Sequence, residues 1–128
     1  MNFSNVTIKN NYTSNHGGGV RISESHVMFE ETEIWNNTAS KGGGLSIDRS
    51  DVFMEKVSIR NNLGAAAGLE SRCSQLLFMD VDIMHNQSET LGSDVGGIHI
   101  SHWGSECEDM NSDVLFICVG TPKLKKSR

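Results

Sequence analysis

The chain has 128 residues, 37% of them hydrophobic, with a single proline, which is the size and makeup of one folded domain and excludes a wholly disordered segment. Eleven basic residues against sixteen acidic ones give a net charge of −5; four of the basic groups are Lys123, Lys125, Lys126 and Arg128, so residues 1–122 set seven basic against sixteen acidic. A body that acidic excludes nucleic acid as a natural partner, no run approaches the roughly 18 apolar residues of a membrane span, and the start at Met1–Asn5 lacks the basic-then-apolar layout of a signal peptide.

The thirteen glycines fall in short clusters, which fits neither collagen nor a flexible linker. Read along the chain, the clusters punctuate a repeat. The segment Val6–Asn11 recurs at Thr32–Asn37, Val57–Asn62 and Val81–Asn86, and its isoleucines Ile8, Ile34, Ile59 and Ile83 step by 26, 25 and 24. Phe3, Phe29, Met54 and Phe78 step by the same 26, 25 and 24, whereas Gly19, Gly44, Gly68 and Gly97 step by 25, 24 and 29.

Inside a repeat the apolar residues alternate, as in Val20 and Ile22, Val27 and Phe29, Thr32 and Ile34, so the local period is 2 and the elements are strands. The spacing predicts strands near 20–22, 27–29 and 32–34 with equivalents one repeat on. Three short strands cannot bury a face alone; stacking successive copies in register gives one continuous core. The fold class expected is therefore all-β, a right-handed parallel β-helix of about four coils of 24–26 residues, with equivalent residues stacked in columns.

Asn11, Asn37, Asn62 and Asn86 form a further column, at the corner after the third strand. Asparagine tolerates left-handed backbone angles, and its amide both donates and accepts, so the column is expected to be a hydrogen-bonded asparagine ladder with Asn37 and Asn62 buried. Asn2, Asn5, Asn11, Asn36 and Asn86 also begin N-x-S/T triplets, the acceptor motif for N-linked glycans in a secreted eukaryotic protein.

The units Phe-x-x-[VT]-x-Ile-x-x-Asn followed by Gly-Gly-Gly-Val-x-Ile at 17–22 and Gly-Gly-Gly-Leu-x-Ile at 42–47 resemble the right-handed β-helix, pectin-lyase-like repeat proteins. They are most similar to surface adhesins of the polymorphic-membrane-protein type, over about residues 1–100. The resemblance departs at Phe29–Thr32 and Phe78–Val81, which lack the asparagine of FxxN, and at Ala66–Leu69. It implies a non-catalytic extracellular or cell-surface module, an adhesin-like stalk or binding surface. Its partners would be protein or carbohydrate on a cell surface and flanking coils of the same chain. The alternative it implies is a fragment of a carbohydrate-active enzyme, a polysaccharide lyase or glycoside hydrolase. No cofactor is required by either pattern of residues.

The domain is expected to run over residues 1–120, as part of a longer solenoid, with an insertion at 101–113 and a basic tail at 121–128. Catalysis would need a carboxylate pair. The outward column Arg21, Ser46, Glu70 and His99 holds one carboxylate, and Thr7, Glu33, Ser58 and Asp82 holds two, two coils apart; a solvated polar face accounts for both. His99 and His102 form an HxxH, but on a strand an offset of three points the rings to opposite sides, which disfavours a metal site. His16 before Gly17–Gly18–Gly19 reads as a turn residue. The residues that break the alternation are Met28, Phe53, Leu77 and Leu115, a row of outward apolar groups that either is covered by the basic tail, the 101–113 insertion or a neighbouring domain or is the candidate interaction face. Three cysteines without a CxxC pair leave at least one thiol free or paired outside the chain, and a Cys73–Cys107 bridge is geometrically possible in an oxidising compartment, ranked ahead of Cys107–Cys118.

Overall fold

The structure, a computed structural model, describes residues 1–88 and 96–101 and the backbone of Val114–Ile117. Its strands are β1 (Asn2–Ser4), β2 (Thr7–Lys9), β3 (Val20–Ser23), β4 (His26–Glu30), β5 (Glu33–Trp35), β6 (Thr38–Lys41), β7 (Leu45–Asp48), β8 (Asp51–Arg60), β9 (Leu63–Ala65), β10 (Leu69–Arg72), β11 (Gln75–Met84), β12 (Ile98–Ser101) and β13 (Val114–Ile117). Every pairing between them is parallel and joins a strand to its equivalent one coil away. The stack is a β-solenoid of about four turns.

One sheet runs β1-β4-β8-β11-β13 with β2 and β5 alongside, a second runs β12-β10-β7-β3, and a third pairs β6 with β9. The two ten-residue strands β8 and β11 each span what the alternation divides into two, with a bend at Lys56 and at Asp80. The β6–β9 pair is a fourth side of the coil that the alternation does not reveal, because Thr38–Lys41 carries one small apolar residue, Ala39, and no row of large ones.

The core is the stack of columns. Ile8, Ile34, Ile59 and Ile83 lie in register, as do Phe3, Phe29, Met54 and Phe78, and from Phe29 and Ile34 onward these side chains are at most 1% exposed. Phe3 stacks on Phe29 with ring centres 4.9 Å apart and planes 12° from parallel. One column is interrupted: Ser71 sits between Ile47 and Ile100, 1% exposed, and its Oγ has no hydrogen-bond partner. A buried hydroxyl left unpaired costs its desolvation. Ser71→Ala should therefore raise stability by about 1 kcal/mol, read as a higher urea midpoint at unchanged slope. A lower midpoint would show that the hydroxyl is needed.

The corners are built from residues in the left-handed region, with φ between 46° and 60°: Asn5, Glu31, Lys56 and Asp80 at one, Asn10, Asn36, Asn61 and His85 at the next, and Glu24, Arg49 and Cys73 at a third. This corrects the expectation for the ladder asparagines. The positive φ belongs to the residue before each of them, and the bend it makes is what turns Asn11, Asn37, Asn62 and Asn86 toward the inside. The hydrogen-bond ladder continues around the bends, with the N–H of Glu24, Arg49 and Cys73 donating to the carbonyls of Asp48, Arg72 and Ser101 at 3.0, 3.0 and 3.1 Å.

Two side-chain ladders run up the inside of these corners. In the first, Asn11, Asn37 and Asn62 each donate from Nδ2 to the Oδ1 of the asparagine below, at 3.0, 3.1 and 2.9 Å, and the backbone N–H of each donates to the same oxygen. The second was not singled out by motif. Ser25 and Ser50 each donate a backbone N–H at 3.0 Å to Oγ of Ser50 and Ser74, and each serine hydroxyl donates to the carbonyl two residues back. Their steps of 25 and 24 were available as a signal.

Candidate functional site

Because the inward positions are filled by the columns, chemistry is left to the outward ones, and the sheets present two contrasting faces. On β3, β7, β10 and β12 the outward residues are polar. Arg21, Ser46, Glu70 and His99 are in register, one per coil, and beside them run Ser23, Asp48, Arg72 and Ser101. Glu70 is the hub. Its Oε2 accepts from Ser46 Oγ at 3.1 Å and lies 3.1 Å from Nδ1 of His16, 54 residues earlier in the chain. The His16 ring thus reaches past the coil between, which holds it far more specifically than a turn position alone requires.

Asp48 is held by Arg72, whose Nε lies 2.8 Å from Oδ1, with Arg49 at 3.9 Å. The hydrogen bond from Arg72 keeps the Asp48 carboxyl below its ordinary value, outweighing the opposing effect of burial.

The column Thr7, Glu33, Ser58 and Asp82 is also in register, on β2, β5, β8 and β11. Glu33 lies 3.5 Å from Arg60, and Arg60 in turn stacks on Trp35, 5.0 Å from the ring centre, with Lys9 on the other neighbouring coil at 5.1 Å. The two carboxylates of the column are two coils apart, as the repeat implies. Among the described residues no group of three His, Cys, Asp or Glu could hold a metal ion. His99 points outward and is exposed, while His102 lies outside the described residues.

The second face is apolar. Asn2, Met28, Phe53, Leu77 and Leu115 are in register across β1, β4, β8, β11 and β13. Met28, Phe53 and Leu77 point outward and are half-buried by their neighbours. They form the floor of an open depression of about 720 Å³, edged by Met1, His26, Asp51 and Gln75. His26 Nδ1 and Asp51 Oδ2 are 2.9 Å apart on that edge, so the floor has a polar border.

Cys73, fully buried at its corner, is disulfide-bonded. Cys107 and Cys118, the other two cysteines, and the basic tail at 121–128 lie outside the described residues, as does most of the 101–113 insertion.

Parallel coils of near-constant length, inward ladders of asparagine and serine, and side chains presented one per coil define a β-helix repeat protein. The chain belongs to the family of right-handed β-helix regions, whose model matches residues 1–114. No curated protein and no solved structure matches it.

Proposed function

We propose that the chain is a non-catalytic binding module of an extracellular or cell-surface protein, adhesin-like in the manner of the polymorphic-membrane-protein type, and that it binds a protein partner through the Met28, Phe53 and Leu77 face. The observation that carries this reading is the apolar floor itself, bordered by charged and polar residues, on a sheet whose inward face already supplies the core. Three apolar groups stack in register on this outward column, whereas the other outward columns are polar or mix polar with apolar residues, and local rules tend to break where a surface is used. The floor is aliphatic except for Phe53, and the polar groups suited to sugar hydroxyls lie on the other face, which favours protein over carbohydrate as its partner. The disulfide at Cys73 supports an oxidising location.

The alternative, a fragment of a carbohydrate-active enzyme, is less well supported. Glu70 is tied to Ser46 and His16, and Glu33 faces Arg60, so these carboxylates serve as fastenings between coils.

Covering the row would bury on the order of 200 Å² of apolar surface, about 5 kcal/mol before the costs of association. The double variant Phe53→Ser with Leu77→Ser should keep the strand-rich circular dichroism of the parent and lose adhesion of protein-coated beads to cells by about tenfold or more. Undiminished adhesion by a folded double variant would remove this face from the proposal.

A further inference from the structure

Of the asparagine triplets, those at Asn36 and Asn86 take no part in the binding face, and the structure sorts these two sharply. The sorting follows from the phase of each triplet against the ladder. In the second coil the triplet starts on Asn36, the left-handed corner residue, which points outward. In the fourth it starts on Asn86, the ladder residue, which points inward. One position in the repeat separates the two.

Asn36 is exposed, and so are its column neighbours Asn10 and Asn61, both small and polar. Its Nδ2 donates to Asn10 Oδ1 at 2.7 Å. That bond uses one of two amide hydrogens, leaving the second free to be replaced. Asn86 is 1% exposed; its Nδ2 donates to the carbonyl of Ile59 at 3.0 Å and its Oδ1 takes two bonds from Asn62. A sugar on that nitrogen would have to enter the core. Asn11 is solvent-exposed, but its Nδ2 is turned onto Asn37 Oδ1 at 3.0 Å, into the ladder.

We infer that Asn36 is a site of N-linked glycosylation, and that Asn86, despite the same motif, is not. The donor is a lipid-diphosphate-linked oligosaccharide. The Asn36 Nδ2 forms a bond to the anomeric carbon as the bond from that carbon to the diphosphate oxygen breaks; the diphosphate leaves with the electron pair, and the displaced amide proton passes to the transferase's base. The glycan then stands on the corner between β5 and β6, separated by β5 from the apolar floor, so it leaves that face open. The inference rests on the extracellular reading for its setting, since only a secreted chain meets the donor.

The test is expression of the full chain through a eukaryotic secretory pathway, with retained and released material both digested after glycosidase treatment, which converts an occupied asparagine to aspartate. The Asn36 peptide should carry the conversion and the Asn86 peptide should not. Thr38→Ala, which removes the first triplet without touching Asn36, should abolish one glycan, and Ser88→Ala, which removes the other without touching the ladder, should abolish none. An unconverted Asn36 or a converted Asn86 would overturn the inference. The same digests run with and without reduction report the disulfide at Cys73, so a failure of glycosylation is told apart from a failure of the oxidising location.

Discussion

Asn62→Ala is expected to destabilise the protein by about 3–5 kcal/mol, more than any loss of a single core methyl group. The side chain serves three coils at once. Its Nδ2 donates to the carbonyl of Ile34 at 3.1 Å and to Asn86 Oδ1 at 2.9 Å, and its own Oδ1 receives the backbone N–H of Asn37 at 3.0 Å and the Asn37 Nδ2 at 3.1 Å. Truncation takes the Asn62 partner from the backbone N–H of Asn37, from one of the two hydrogens of its amide (the other keeps the Ile8 carbonyl) and from the Ile34 carbonyl, and Asn37 is fully buried, so water cannot replace the lost partner without opening the corner. An unsatisfied buried group costs about 1–3 kcal/mol, and here several are created together. Asn11→Ala is the control, because Asn11 is solvent-exposed and ends the ladder; it should cost below about 1 kcal/mol. The check is the urea midpoint of each variant. Equal losses at the two positions would mean that the ladder is not what holds this corner.

That ladder could be read in the sequence because a solenoid repeats its solution once per coil, and an inward side chain must suit its counterparts above and below. Isoleucine on isoleucine and asparagine on asparagine leave a periodic trace for this reason. The bend residues leave an uneven trace: Asn10, Asn36 and Asn61 repeat asparagine at one corner, but Glu24, Arg49 and Cys73 at another share a left-handed backbone and no side-chain chemistry, since that bend is imposed by the strands on either side. The serine ladder was hidden differently: Ser25, Ser50 and Ser74 keep the period, but each hydroxyl also makes a local bond to the carbonyl two residues back, and serine in a turn needs no further reason to be there. The contact between His16 and Glu70 skips a coil, so no nearest-neighbour column contains it. The apolar row was legible as an exception to alternation. Its half-burial was not, because that depends on how Phe53 packs beside Met28 and Leu77 on the neighbouring coils, which alternation along one strand does not report.

The glycine columns carry the second large effect, and Gly44→Ala is expected to cost about 3 kcal/mol or more, or to abolish the cooperative unfolding transition. The reason is approach and not backbone freedom, since Gly44 is not among the residues of positive φ. A Cβ placed there would lie 2.5 Å from the carbonyl oxygen of Gly68, 2.9 Å from Ile59 Cγ2 and 3.0 Å from Asn62 Nδ2. The first of these is backbone of the next coil and cannot swing aside. Relief would have to come from spreading two coils, which would pull on the Leu45 N–H to Gly68 carbonyl bond at 3.0 Å and on the Asn62 ladder together. Gly19 and Gly68 meet the same obstacles, a carbonyl of the following coil and the Nδ2 of a ladder asparagine, so the column is glycine wherever the corner is this tight. One residue earlier, Gly18 and Gly43 are as crowded, with a carbonyl oxygen 2.4 and 2.5 Å from an added Cβ, but the third coil has Ala67 there, which is fully buried and does carry a Cβ. Ala67→Gly should therefore cost only about 1 kcal/mol, the conformational entropy of the added glycine. Thermal or urea unfolding of the pair separates the two cases, and a Gly44→Ala variant as stable as Ala67→Gly would show that the coils can part without penalty.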